Sequence, residues 1–362
     1  MVCRTMLAFT DHRSDPAGWA RDLDISREAV ELYLASDVID LHLDSFIWTR
    51  VFGYDLRKRH GRGALFGHVY SQVDFPRVLE AALTGATWVI TTNPVRSARG
   101  RAVAFQKNLQ KLLRIFDSVS EQYQVVRNAA EYAAARAQGK HAAFIGIQGG
   151  NALDRDLGAL DLIEDGLILR ITLVHLSSSK IGVTSSPLKL GADTGLSDFG
   201  RDYVRRLNEK KIFVDLAHIS KQGFWDVVEL QDRSQPLLVT HTGVSGVHEH
   251  WRNLDDDQLR AIADTGGTIG VMYQSTFLGD AAWSGRAESV VRHLQHIVRT
   301  VGEDYASLGS DWDGAISPPR DLVSSTELPR LVELMLRRGF SPERVQKILG
   351  KNFLRVVAAL RG

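Results

Sequence analysis

The chain of 362 residues is 44% hydrophobic and 24% charged, the composition of a soluble globular protein with enough apolar residues for a large core. Its 44 basic and 43 acidic side chains leave a net charge of +1, which excludes a general attraction to nucleic acid or an anionic membrane and favours small-molecule partners. The single Cys3 excludes an internal disulfide and argues against redox chemistry.

The amino-terminal apolar stretch is too short and too interrupted for a signal segment, and no apolar run of the roughly 18 residues needed to span a bilayer follows it. The expectation is a soluble, cytoplasmic protein. A capped helix at 26–34 leads into residues 38–44, V-I-D-L-H-L-D, a β-favouring run in which His42 and Asp44 share a side because strand residues at i and i+2 point the same way. Residues 45–72 read as a long loop with the basic run Arg57-Lys58-Arg59-His60-Gly61-Arg62, and long loops of this kind are more often functional than idle.

A helix opened by Pro76 follows, then a second strand at 86–92 and helices at 101–121 and 128–138. Residues 141–150, H-A-A-F-I-G-I-Q-G-G, read as a third strand ending in Gln148, and 167–175, L-I-L-R-I-T-L-V-H, as a fourth ending in His175. Helices at 197–210, 220–230, 255–265 and 286–301 alternate with strands at 212–218, 236–241, 268–273 and 305–311. Helices at 327–338 and 342–359 close the chain. Eight strands alternating with helices predict a (β/α)8 TIM barrel, and no Gly-rich phosphate fingerprint follows the first strand to favour an open doubly wound sheet.

Barrels of this type place chemistry at the carboxyl ends of their strands. Those ends carry His42, Asp44, Gln148, His175, His218, His241 and Asp311. Several imidazoles with one or two carboxylates suit Zn or a similar divalent ion with an open position for water, which points to hydrolysis. Asp311 is placed to move a proton between water and a leaving nitrogen, and Asp313 to brace the same turn. Arg252 suits a substrate carboxylate. His248 and His250 are read as exposed, and His293 and His296 as surface residues of a helix.

These residues, in this order, resemble the renal or membrane dipeptidases, metallo-dipeptidases of the amidohydrolase barrels. The resemblance runs from about Val38 to Val356 and is carried by V-D-L-A-H-I-S (214–220), R-N-L-D-D-D-Q-L-R-A-I-A (252–263), G-S-D-W-D-G (309–314) and K-I-L-G-K-N-F-L-R-V (347–356). It implies one amidohydrolase-like domain over residues 1–362 with extra carboxyl-terminal helices at 341–360, a homodimer, and a paired zinc site. In that site His42 and Asp44 match the ligands of one ion, His218 and His241 those of the other, and position 148 the bridge. His175 matches the histidine beside the scissile carbonyl and a substrate contact, Arg252 the carboxylate anchor, and Asp311 the proton-transfer residue.

The family pattern has Glu before Gly-Gly where this chain has Gln148-Gly149-Gly150. A neutral amide offers one acceptor oxygen and two N–H donors that repel a cation, so the second ion is expected to bind weakly. Three readings follow: a metal-dependent hydrolase of dipeptides or dipeptide-like amides, an amidohydrolase acting on another anionic amide such as an acyl amino acid or lactam, and a non-catalytic ligand-binding barrel. Arg252 and the basic run at 57–62 favour an anionic substrate.

Overall fold

A computed structural model describes residues 5–187, 189 and 191–362; Cys3 lies outside the described residues. Its strands are β1 (Ile39–Leu43), β2 (Gly85–Thr91), β3 (Tyr123–Val125), β4 (His141–Gln148), β5 (Ile168–Thr172), β6 (Phe213–Asp215), β7 (Leu238–Thr242), β8 (Thr268–Val271) and β9 (Ala306–Leu308). They pair in parallel in the order β1-β2-β4-β5-β6-β7-β8-β9, with β3 alone off this path. A parallel bridge from Leu43 to Trp312 closes the sheet. The bonds Asp311 N–H to His42 O at 3.2 Å and Asp44 N–H to Trp312 O at 3.0 Å complete the seam. The result is the expected (β/α)8 barrel.

All eight strands of the sequence reading are present. The additional β3 has a simple cause. β5 pairs only with Ile145 to Gln148 of the long β4, so the first residues of β4, His141 to Ala143, are left an open edge that β3 fills.

Strands of an all-parallel sheet are covered on both faces and therefore apolar almost throughout. Inside the barrel the residue type changes along the strands. Phe144, Phe213 and Leu238, early on their strands, pack in one cluster with Phe353 and Val357 of the last helix. Further along come Arg170, Thr172, Asp215 and Thr240, all buried. The candidate site occupies the carboxyl ends beyond them.

Two segments depart from expectation. The loop expected at 45–72 contains a helix, Phe46–Val51, and a 3-10 turn, Ala64–Gly67. The single helix expected at 342–359 is broken by a π-helical turn, Lys347–Lys351, between Pro342–Gln346 and Asn352–Arg361. At that turn Asn352 donates to the carbonyls of Glu303 and Ala306, both at 2.8 Å, and a side chain at Gly350 would meet the Asp37 carbonyl at 2.5 Å. The π turn is the price of bringing both onto the barrel wall.

The three arginines of the basic run are paired rather than free. Arg57 pairs with Asp55 at 2.9 Å, Arg59 with Glu80 at 3.0 Å and Arg62 with Glu327 at 3.8 Å. It therefore gives no support to an anionic substrate. His293 also departs from its reading as a surface residue: it is fully buried, accepting from Val244 N–H at 2.9 Å on Nδ1 and facing the Leu278 carbonyl at 3.3 Å. His296 is half-buried and pairs with Asp256 at 2.7 Å. His248 and His250, read as exposed, are also half-buried. Among the described residues no helix is long and apolar enough to cross a membrane.

Candidate metal centre

Asp40 organises the first strand end. Its carboxylate accepts from His42 N–H at 2.9 Å and from Ser310 N–H at 3.0 Å, which ties β1 to the turn after β9 on either side of the seam. Burial pushes its pKa up to about 7. Asp313, two residues past Asp311, accepts from the backbone N–H of Gln72 at 2.9 Å and of Val73 at 3.2 Å and from the Ser45 hydroxyl, so it braces the turn. His218, Asp311 and Asp313 all have left-handed φ, at 67°, 62° and 66°. That conformation is uncommon outside glycine and is found where surrounding structure holds a functional side chain in place.

The predicted residues converge. One ligand atom each from His42, His241 and Asp311 lie within 4.8 Å of one another. His42 Nε2 stands 3.4 Å from Asp44 and 3.6 Å from Asp311, and His218 Nε2 stands 2.8 Å from His241 Nε2. Asp311, read as a proton-transfer residue, is thus also within reach of a ligand position. His175 Nε2 and Asp44 meet opposite ends of the Gln148 amide. One end lies 2.8 and 3.1 Å from the Asp44 oxygens and 2.7 Å from His42 Nε2; the other lies 2.9 Å from His175 Nε2.

The layer beneath sets proton positions. The Thr240 hydroxyl donates to Asp215 at 2.7 Å, so toward His241 Nδ1, 3.0 Å away, its oxygen accepts. His241 then carries its proton on Nδ1 and turns a bare Nε2 into the site. Arg170, fully buried, donates to Asp215 at 2.9 Å, to Thr172 at 2.6 Å and to His42 Nδ1 at 2.7 Å. His42 therefore keeps its proton on Nε2. With the amide nitrogen of Gln148 toward Asp44, that proton is opposed; with the oxygen toward Asp44, two oxygens repel.

Turned with its nitrogen toward Asp44, Gln148 donates to both Asp44 oxygens and accepts from His175 Nε2, leaving His42 Nε2–H as the one group opposed, and a cation in place of that proton would remove the conflict. The donor set of imidazole, carboxylate and one amide oxygen fits a divalent ion of the zinc type. Arg170 Nη2 also lies 3.4 Å from the Leu41 carbonyl.

Electrostatics agree with neutral imidazoles. Burial lowers His175 to about 4 and holds His218 and His241 well below the usual range, with Arg252 and neighbouring histidines adding to it. Asp311 is raised well above an ordinary carboxyl by burial and by the Asp44 charge, against the pull of Arg252. Arg252 is only 4% exposed, donates through Nη2 to the His241 carbonyl at 2.7 Å, and leaves its buried Nε without a partner. A cavity of about 370 Å³ opens onto Asp44, Gln148, His175 and Asp311, walled by Trp48, Trp251, Met272 and Phe277.

Arg170, Asp215, Thr172 and Thr240 escaped the sequence reading. The available signal was a charge or hydroxyl inside a buried strand, R-I-T in β5 and F-V-D in β6, where an unpaired polar group is costly and a network is therefore implied.

A profile of the family described as membrane dipeptidase (peptidase family M19) matches residues 26–361. Among curated proteins, 169 residues are 36% identical to the "uncharacterized protein in pqqA 5′ region" of Klebsiella pneumoniae, covering 45% of this chain and 60% of that protein. A further match, 28% identical over 251 residues, is to dipeptidase tcpJ of Claviceps purpurea (strain 20.1), covering 69% of this chain and 58% of that one. The chain thus spans about three fifths of the length of these relatives.

Among solved structures, dipeptidase AC, a metallopeptidase of family M19, is 27% identical with a TM-score of 0.81, over 90% of this chain and 99% of that one. A metallopeptidase from Rhodobacter sphaeroides, liganded with a phosphinate mimic of the dipeptide L-Ala-D-Ala, is 26% identical with a TM-score of 0.80 and the same coverage. The probable dipeptidase PvdM from Pseudomonas aeruginosa, 18% identical over 94% of this chain and 98% of its own, shares the fold with a TM-score of 0.82.

Proposed function

The chain belongs to the membrane dipeptidase family, peptidase family M19, and from that premise we propose that it is a metal-dependent hydrolase of dipeptides or dipeptide-like amides. The observation that carries this reading is the set of buried imidazole, carboxylate and amide groups of His42, Asp44, Gln148, His218, His241 and Asp311 converging at one barrel mouth, under a cavity of dipeptide size. His42 and Asp44 would hold one ion, His218 and His241 a second, with Gln148 between them. When bound, a divalent ion supplies Lewis acidity, polarising the peptide carbonyl and acidifying water at neutral pH.

The other roles belong to side chains already described. Arg252, buried and with an unused Nε–H, anchors the carboxylate of the substrate. His175, held neutral, offers an N–H to the oxygen of the scissile carbonyl. Asp311, whose raised pKa suits it to carry a proton, takes one from water and delivers it to the leaving nitrogen. Gln148 brings no charge to the bridge, so one ion is held tightly and the second weakly.

The test is a panel of dipeptides, including L-Ala-D-Ala, incubated with zinc- or manganese-loaded protein. Hydrolysis that a chelator abolishes and Asp311→Asn suppresses is the expected result. Metal binding without turnover of any dipeptide or acyl amino acid would favour a ligand-binding barrel.

A further inference from the structure

The helix Phe46–Val51 separates two cavities. Ile47 and Trp48 line the barrel mouth, whereas Arg50 and Val51 line a second cavity of about 240 Å³ whose other walls include Arg96, Arg101, Asn93 and Asn108. The two are linked through Thr91: the Arg50 guanidinium donates to its carbonyl, and its hydroxyl donates to Asp44 at 2.5 Å.

The charges of this second cavity are unbalanced. Arg101 is neutralised by Asp154 at 2.6 Å and also donates to the carbonyls of Asn151 and Arg96, both at 2.6 Å. Neither Arg50 nor Arg96 has a carboxylate partner among the described residues, in contrast to the arginines of the 57–62 run. Arg50 is half-buried, and burial together with the Arg96 charge draws its pKa below the ordinary guanidinium range, partly offset by Asp44. Two guanidiniums lining one concave space, with the Asn93 and Asn108 carboxamides beside them, form a ready anion site. The space is smaller than a typical pocket for a whole drug-sized ligand, which restricts the occupant to a compact group.

We propose that Arg50 and Arg96 form an oxyanion-binding site beside the barrel mouth, taking a carboxylate or phosphate group. That group comes either from an acidic side chain of the substrate or from a free oxyanion. The first source rests on the hydrolase reading; the second does not.

Titration with inorganic phosphate, read by calorimetry and by the thermal midpoint, tests the site without turnover. Wild type is expected to bind, and Arg96→Gln and Arg50→Gln to bind about tenfold more weakly or worse. Arg99→Gln, a substitution outside the cavity, is expected to match wild type. Arg96 is exposed, so its variant keeps the test free of folding effects. Absence of phosphate binding by wild type, or equal affinity in wild type and both cavity variants, would overturn the proposal.

The source is then read from KM values for Ala-Ala and for dipeptides containing glutamate. A rise in KM confined to the acidic dipeptides in Arg96→Gln, with phosphate competing against those alone, assigns the site to the substrate. Phosphate binding that leaves every KM unchanged assigns it to a free oxyanion. If no dipeptide turns over, the hydrolase reading fails while the phosphate titration still decides the site.

Discussion

His218 and His241 bring their Nε2 atoms within 2.8 Å of each other. Because Thr240 forces the His241 proton onto Nδ1, the hydrogen between the rings belongs to His218, and His218 Nδ1 is left buried without a partner. The pair is built to exchange one hydrogen for a cation. Thr240→Val is expected to lower zinc affinity by about 10 to 100-fold, as loss of an outer partner does, and His241→Ala by more. Equilibrium dialysis with metal analysis reads both.

Gln148→Glu is expected to raise the bound metal from one tight ion to two per chain and to raise the dipeptidase rate with it. Carboxylate in place of amide puts charge between two cations and removes the N–H donors that oppose them. Elemental analysis after loading and desalting gives the stoichiometry. Two tightly held ions in the wild type would contradict the role assigned to Gln148.

Asp311→Asn removes the proposed proton carrier while keeping shape. The expected result is a fall in kcat of about 10² to 10⁴-fold with a much smaller change in KM. Because Asp311 also reaches a ligand position, zinc content is measured on the same preparation; a rate loss at full occupancy separates proton transfer from metal retention.

Arg252→Gln is expected to lower kcat/KM by about 100-fold, chiefly through KM, for dipeptides with a free carboxylate. Substrates whose carboxylate is amidated should lose their handicap in the variant. Equal losses on both substrate types would remove Arg252 from carboxylate recognition.

Acid should weaken the fold through buried neutral histidines away from the site. His141 faces the Leu83 carbonyl at 2.7 Å and accepts from Trp88 Nε1 at 3.2 Å, and burial lowers its pKa from 6.5 to about 4. Below pH 6.5 the unfolded chain takes up a proton that the folded chain refuses, so the stability held above that pH is lost as pH falls toward 4, by an amount on the order of 3 kcal/mol. His293, also lowered to about 4, adds to the same slope. Thermal unfolding followed across this window should fall less steeply in His141→Gln than in wild type.

The barrel was legible because its signals are local. Runs such as H-A-A-F-I-G-I-Q need only be apolar and β-favouring, and the His, Gln or Asp that closes six of the eight runs marks the rim of the candidate site. What escaped depends on pairing between distant segments. β3 exists because β5 leaves part of β4 open, and the Lys347–Lys351 π turn because Asn352 reaches two carbonyls near β9. His293 lies on a helix whose polar look hid its burial. The basic run looked like substrate chemistry until its partners Asp55, Glu80 and Glu327 were seen in space, whereas Arg50 and Arg96, scattered in sequence, converge only because β1 and β2 lie side by side.

Closure of the barrel has a bearing on how the protein is made. The backbone bonds joining His42 to Asp311 and Asp44 to Trp312 stitch together the first and last strands of the barrel at the candidate metal centre itself. A nascent chain still lacking β9 holds His42 and Asp44 but neither the Asp311 carboxylate beside His42 nor the backbone bonds of the seam. The complete set of site residues should therefore come together in a single step late in synthesis, and truncated products should lack it.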